Sequence, residues 1–175
     1  MDLLVSYPRG HYGRARREIL RILRRFGDAG SDVEESGVQG IAVVHTGLAG
    51  RDVIARCTEF HRADPTAFRF TVKWVPVDHW CDKDLDAIKR LVEERIAPRI
   101  GEHETWGMKV EKRGWPQYST AQIVGRLAEA IDRKVNLRAP DKLVRVDILG
   151  VRVAVSLLRT GESFSIHAPE PAQRT

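Results

Sequence analysis

Two hydrophobic periods alternate along the first 75 residues, and their order predicts the secondary structure of this part of the chain. Apolar residues at every second position indicate a strand, and spacings of three and four indicate the buried stripe of a helix. The pattern predicts a strand at 2–6, a helix at 11–26, strands at 32–36 and 40–46, a helix at 48–62 and a strand at 68–75. The predicted order is therefore β-α-β-β-α-β.

The remainder of the chain predicts a second set of elements after a connection at 76–81. We expect a helix at 82–97 that opens with acidic residues, where the helix dipole favours negative charge. A strand at 105–113, a helix at 119–134 that begins at Ser119, two strands at 143–149 and 151–159 and a short strand at 164–167 follow. Ser119 is a residue type that commonly caps helix N-termini.

These elements predict an α+β protein made of two domains. The order in the first domain, residues 1–76, is that of a ferredoxin-like βαββαβ domain, also called a split βαβ arrangement. Residues 77–168 form the second predicted domain, which is α/β, and the polar, Pro-containing segment 169–175 is predicted to be a disordered tail.

Composition adds an expectation about partners. The chain has 175 residues and 42% hydrophobic content, which is enough to bury a core and excludes a disordered chain. Lys and Arg number 29 against 24 Asp and Glu, and the sequence pI is about 9.5. A basic balance favours an acidic partner, of which nucleic acid is the commonest.

The two cysteines, Cys57 and Cys81, have neither disulfide-framework nor paired zinc spacing, which indicates a reducing compartment. With no apolar leader and no apolar run of membrane-spanning length, we expect a cytoplasmic protein without membrane association. The groups His79–Cys81–Asp82 and Cys57–His61 lack the four ligands of a structural zinc site. Because nucleotide-binding and zinc-hydrolase motifs are also missing from the sequence, we expect no cofactor and no metal.

One face of the first predicted helix is basic. Arg14, Arg17, Arg21 and Arg24 follow the helical period opposite the apolar stripe, and we find no acid interleaved among them. Most charge runs are ordinary solvated faces. The run of one sign nevertheless favours contact with phosphates.

Several motifs of the second domain resemble the THUMP family. The strand Met108-Lys109-Val110-Glu111-Lys112-Arg113 is similar to the basic strand of that family, and a helix starting at Ser119 follows it. Val135-Asn136-Leu137 with Pro140-Asp141 resembles the family's link into the next strand. The resemblance covers residues 82–167 and lies in order and spacing more than in any single residue. In this family a ferredoxin-like domain commonly precedes THUMP.

This resemblance implies an RNA-binding function. THUMP is the RNA-binding module of 4-thiouridine synthetases, pseudouridine synthases and tRNA methyltransferases, and with its ferredoxin-like neighbour it grips the acceptor stem and single-stranded 3′ end of tRNA. The sequence leaves no room for a catalytic domain, so we expect no enzyme. The layout, and residues 73–77, are similar to the stand-alone adaptor of tRNA cytidine acetylation. The resemblance implies that tRNA is presented to a separate acetyltransferase that forms 4-acetylcytidine.

We predict RNA-binding residues on both domains, as unpaired strands require cations for phosphates and flat groups for bases. They are Arg14, Arg17 and Arg21 in the first domain, and Lys109, Lys112, Arg113, Trp115, Arg126, Arg133, Lys134 and Arg138 in the second. For Trp115, stacking on a base and packing in the core stay equally open. The alternative function is a ferredoxin-like regulatory protein that binds a small molecule or a protein partner.

Overall fold

The computed structural model describes residues 1–167, which contain nine strands, four α-helices and two sheets. The first unit comprises residues 1–35, 39–76 and 161–167. Its elements are β1 (Asp2–Ser6), α1 (Tyr12–Arg25), β2 (Asp32–Glu35), β3 (Ile41–His45), α2 (Gly50–Ala63), β4 (Lys73–Val77) and β9 (Phe164–Ser165). The strand order β2-β3-β1-β4, extended by β9, is that of a ferredoxin-like sheet.

The two helices of the first unit bury their apolar stripes against this sheet. In α1 the spacing of Ala15, Ile19, Ile22 and Leu23 places four fully buried residues on one side. They share a core with the inward residues of the sheet and of α2, including Leu3, Val5, Val53, Ile54 and Trp74. The predicted helices and the first three strands of this unit are therefore confirmed, with ends shifted by one or two residues.

The prediction for the fourth strand is wrong at its start. Residues 68–72 are not a strand, and β4 begins only at Lys73. The backbone amides of Arg69, Phe70 and Thr71 donate to the Glu18 carboxylate, so these groups do not take part in a strand ladder. The apolar residue Phe68 packs into the core from an irregular segment.

The assignment of the last strand to the second domain is also wrong. Phe164 pairs with Trp74 and Ser165 with Lys73, in an antiparallel ladder at the edge of the first sheet. Phe164 is buried in the first core, 4.7 Å from the ring centroid of Phe68. Residues 161–167 therefore belong to the first unit. The predicted tail at 169–175 lies outside the described residues.

The second unit comprises residues 36–38 and 77–160. Its elements are β5 (His79–Asp82), α3 (Leu85–Leu91), β6 (Trp106–Arg113), α4 (Thr120–Ala128), β7 (Lys142–Leu149) and β8 (Arg152–Leu158), in sheet order β5-β8-β7-β6. The strands β6 and β7 run parallel, whereas the other pairs are antiparallel. Val144, Val146 and Ile148 alternate toward the core that α3 and α4 cover.

Three predictions for the second unit need correction. Part of the predicted connection at 76–81 is in β5, because His79–Asp82 pairs with β8. The helix predicted at 82–97 begins at Leu85, capped by Asp84, and continues after Leu91 as a π-helical turn, Val92–Ile96, and a 3₁₀ turn, Ala97–Arg99. The helix capped by Ser119 ends at Ala128 and not near 134.

The predicted fold class is confirmed. The chain is α+β, with a ferredoxin-like first unit and a second unit in which two helices cover one sheet. Both cores are continuous clusters of buried aliphatic and aromatic residues.

Candidate nucleic-acid interface

A basic groove lies between helix α1 and residues 64–70 in the first unit, and we call it the α1 groove. Arg14, Arg17 and Arg21 line it from the helix, and Arg69 and Phe70 line it from the opposite segment. The four arginines are exposed, and the groove has a volume of about 590 Å³. The structure therefore brings the three arginines predicted on α1 together with a fourth.

Glu18 is the acid that the sequence analysis overlooked on this helix. It lies between the arginines in sequence and lines the groove, but only 5% of it is exposed. Its carboxylate accepts hydrogen bonds from the amides of Arg69 at 2.6 Å, Phe70 at 3.1 Å and Thr71 at 2.7 Å. Glu18 therefore fixes the segment that carries Arg69 and Phe70.

The groove also contains a half-buried aromatic ring. The guanidinium carbon of Arg14 lies 5.6 Å from the ring centroid of Phe70, and the His11 ring stacks on Phe70 at a centroid distance of 6.2 Å. Cationic and flat groups thus share one surface, as in proteins that bind single-stranded nucleic acid.

Arg69, Phe70 and His11 were not predicted as parts of the site, because residues 69 and 70 fall within the predicted strand 68–75. A signal was available, since Glu18 stands three residues after Ala15 and four before Ile22, on the side of the apolar stripe, and a buried carboxylate requires a partner. That partner could have been looked for in the segment that follows Pro65, but nothing in the spacing identifies residues 69–71.

The charge of the α1 groove is positive. Four arginines outnumber the carboxylates of Glu18 and Asp64, which leaves a formal charge of +2. Hydrogen bonds from the Thr66 side chain and backbone hold the pKa of Asp64 below its usual value. Asp64 is therefore ionised at neutral pH and counts as one negative charge in this sum, which remains positive.

The basic strand of the second unit is engaged in contacts within the protein. The ammonium of Lys109 pairs with Glu111 at 3.2 Å, and that of Lys112 donates to the Tyr118 carbonyl at 2.7 Å. The guanidinium of Arg113 contacts Asp147 at 3.2 Å. Lys109 is the most exposed of the three, with 51% of its side chain exposed, whereas Lys112 and Arg113 are half-buried.

Arg126 has two acidic neighbours. It lies 3.2 Å from Asp86 and 2.7 Å from Glu129, and Glu129 also accepts from Lys89. Hydrogen bonds from Lys89 and then Arg126 lower the pKa of Glu129. The positive charge of Arg126 is largely balanced locally, so it contributes less to an anion-binding surface than its position in the sequence suggests.

The segment after α4 carries the remaining predicted cations. Arg133 donates to the carbonyls of Ile100 and Asp132, whereas Lys134 and Arg138 are exposed. The side-chain oxygen of Asn136 accepts from the amides of Arg138 and Ala139, which holds the loop in a turn. Lys134 and Arg138 can therefore contact an external anion.

Trp115 packs in the core of the second unit, which is one of the two roles that the sequence left open for it. Only 7% of the residue is exposed, and its ring makes an edge contact with Tyr118 at 5.2 Å. Lys83 lies 5.9 Å from the ring centroid. Of the two alternatives left open by the sequence, the structure favours core packing, because little of the residue reaches the surface.

The thiols and histidines do not assemble a metal site in the described residues. Burial raises the pKa of the Cys57 thiol, and burial followed by Asp82 and Asp84 raises the pKa of Cys81 to about 11. His61 packs against Phe68 and Phe164 in the first core. Across residues 1–167, no three His, Cys, Asp or Glu side chains are placed to hold an ion, and no helix is long and apolar enough to cross a membrane.

Comparison by sequence gives one distant relative of note. No protein-family model matches the chain. The uncharacterized protein MJ0421 of Methanocaldococcus jannaschii is 28% identical over 142 residues, which cover 79% of this chain and 36% of the relative. The chain therefore spans about a third of the length of this curated relative.

Comparison by structure finds similar folds in larger chains. PH1313 from Pyrococcus horikoshii Ot3 matches with a TM-score of 0.66 and 11% identity, over 94% of this chain and 54% of its own. TrmN from Thermus thermophilus matches at 0.60 and 15% identity, over 90% and 45%. A 4-thiouridine synthetase, solved with RNA and bound ATP, matches at 0.50 and 13% identity, over 90% and 41%. Identities this low show a shared fold alone.

Proposed function

We propose that the chain binds tRNA, at its acceptor stem and single-stranded 3′ end, and presents it to a separate modifying enzyme. The observation that carries this proposal is the α1 groove, which is lined by four exposed arginines and a half-buried aromatic ring. Arginines neutralise phosphates, and flat side chains stack on unpaired bases. Lys134 and Arg138 offer further cations on the second unit.

The comparisons support this proposal at the level of the fold. A 4-thiouridine synthetase with the same fold was solved with RNA. The resemblance of the second unit to THUMP rests on other evidence, namely the order of its sequence motifs. The shared fold and the order of the motifs both support RNA as the ligand.

We also propose that the chain supplies binding and not catalysis. The raised pKa values of both thiols make them poor nucleophiles, since the thiolate is the reactive form. The reaction that we assign to the partner is the formation of 4-acetylcytidine by an acetyltransferase acting in trans. This assignment is supported by the resemblance of residues 73–77 to the linker of the acetylation adaptor.

Titration of tRNA tests the binding proposal. Total tRNA, intact or trimmed of its unpaired 3′ end, is titrated at two salt concentrations with fluorescence anisotropy as the readout. We expect trimming to weaken binding and the log of the binding constant to fall linearly with log salt. Binding that is unaffected by trimming would reject 3′-end recognition, and the absence of binding at moderate salt would reject the function.

Reconstitution tests the partner reaction. A tRNA acetyltransferase is incubated with tRNA and acetyl donor, with or without the full chain, and 4-acetylcytidine is quantified by mass spectrometry. We expect the chain to raise the initial rate and Arg17→Gln with Arg69→Gln to lower this gain. An unchanged rate would reject the acetylation assignment and leave tRNA binding to be judged by the titration.

A further inference from the structure

We infer that the α1 groove is the site of one unpaired nucleotide of the bound RNA, with its phosphate on Arg17, Arg21 and Arg69 and its base on Phe70. This inference rests on the proposed function, because it takes RNA as the ligand. It adds the place on the first unit where a single nucleotide is held and the chemical group that each side chain recognises.

The arginines are arranged to hold a phosphate. Arg14, Arg17 and Arg21 follow each other by three and four residues, so their Cα atoms rise by about 4.5 and 6 Å along one side of α1. One N–H of Arg17 donates to the Gly13 carbonyl and one of Arg21 to the Ala67 carbonyl. These bonds orient both guanidinium groups, and Arg21 also lies 4.0 Å from the Glu18 carboxylate. The remaining N–H groups of the planar guanidiniums can form paired hydrogen bonds with phosphate oxygens.

The ring of Phe70 is fixed in the same groove. The Phe70 amide donates to Glu18, and the neighbouring amides of Arg69 and Thr71 do the same, so the backbone under the ring is held on both sides. Arg14 lies over the ring and is exposed, so its guanidinium can give way to a base or stack on it. A platform held in place before binding loses little conformational entropy when a base stacks on it.

Size and charge favour a single nucleotide over a longer stretch of backbone. The groove volume of about 590 Å³ falls within the range of roughly 300–1,000 Å³ that is typical of small-ligand pockets. A formal charge of +2 matches one phosphate group and its neighbour, and not an extended run of phosphates. A paired base is stacked inside its helix and cannot lie on Phe70, so the nucleotide must be unpaired.

Two probes and two variants test the assignment. The full chain is titrated by fluorescence anisotropy with a five-nucleotide single-stranded oligoribonucleotide and with a blunt-ended RNA duplex of two complementary strands. Phe70→Leu keeps an apolar side chain and removes the flat ring, and Arg17→Gln with Arg69→Gln removes two groove cations. The charge-matched control is Arg9→Gln with Arg62→Gln, which changes two exposed arginines of the first unit outside the groove and off the basic face of α1.

We expect Phe70→Leu to weaken single-strand binding about tenfold and leave duplex binding unchanged. The groove double variant should weaken single-strand binding by at least about tenfold and reduce its salt slope by about 1, against a much smaller change for the control. Thermal unfolding confirms that each variant is folded. If Phe70→Leu does not fold, the single variant Arg69→Gln, at an exposed position, replaces it in the test.

Three results would overturn the assignment. In the first, folded Phe70→Leu binds the single strand as tightly as the unmodified chain does. The same result with Arg69→Gln counts if that variant replaces Phe70→Leu. Another is an equal loss for the groove and control double variants, which would mean charge attraction without a site. The third is an equal loss for single strand and duplex. If the unmodified chain binds tRNA but one of these results is found, only the assignment of the groove fails. If the unmodified chain binds no RNA at all, the proposed function is rejected as well.

Discussion

Replacing Glu18 by Gln should destabilise the first unit and loosen the segment that carries Arg69 and Phe70. The carboxylate is 5% exposed and accepts from three consecutive backbone amides at 2.6 to 3.1 Å. Gln retains one acceptor oxygen and turns an NH₂ donor toward the remaining amides. At least one backbone N–H therefore loses its partner inside the protein.

The magnitude follows from the exposure of the three amides. A hydrogen bond to a charged acceptor contributes about 1.5–3 kcal/mol, and an unsatisfied buried donor costs about 1–3 kcal/mol. Thr71 is fully buried and bears the whole cost, whereas Arg69 and Phe70 are exposed and half-buried and can bind water instead. We therefore expect a loss of about 2–4 kcal/mol from a total of about 5–15 kcal/mol.

Urea unfolding, followed by far-UV circular dichroism, measures the loss, and amide hydrogen exchange locates it. The amides of Phe70 and Thr71 should exchange faster in the variant, and single-strand RNA binding should weaken as the platform loosens. Glu59→Gln, an exposed acid on α2, is the matched control and should change stability by less than about 0.5 kcal/mol. A variant as stable as this control, with the Thr71 amide still protected, would refute the role assigned to Glu18.

Three further predictions concern other groups. Hydrogen bonds to Asp2 and then Glu34 raise the pKa of His45, so the stability that this residue adds is present below about pH 6.5 and is lost as pH rises through the raised pKa. His45→Gln should therefore lower the free energy of unfolding in urea by less than about 1 kcal/mol at pH 5.5 and not at all at pH 8.5, and an equal loss at both pH values would contradict this. With its pKa raised to about 11, Cys81 should react with iodoacetamide about tenfold faster for each pH unit between 8 and 10, measured by mass spectrometry, and a plateau by pH 9 would be inconsistent with that pKa. Trp115→Ala should lower the free energy of unfolding in urea by about 3–5 kcal/mol, because the ring is buried. Trp115→Phe should keep tRNA affinity within about twofold by anisotropy, and a large loss of affinity in the folded variant would indicate that the ring contacts RNA.

Local patterns were sufficient for most elements and for one side of the candidate site. The periodic burial of α1 and the Ser119 cap were readable from neighbours three and four residues away, because helix packing and capping depend on these spacings. The same period placed Arg14, Arg17 and Arg21 on one exposed face. The C-terminal end of α4 and the π-helical turn after α3 were not readable, since they depend on packing within the second core.

What the sequence by itself determined is the α+β class, the ferredoxin-like order of the first unit and the basic face of α1. Only the tertiary structure decided that Glu18 is buried, that residues 68–72 leave the strand pattern, and that β9 joins the first sheet. The reason is distance along the chain: Glu18 meets amides 51 to 53 residues away, and β9 pairs with a strand from the other half of the sequence. Such partners leave no periodic signal, so the groove formed by Arg69, Phe70 and the α1 arginines becomes visible only once the chain is folded.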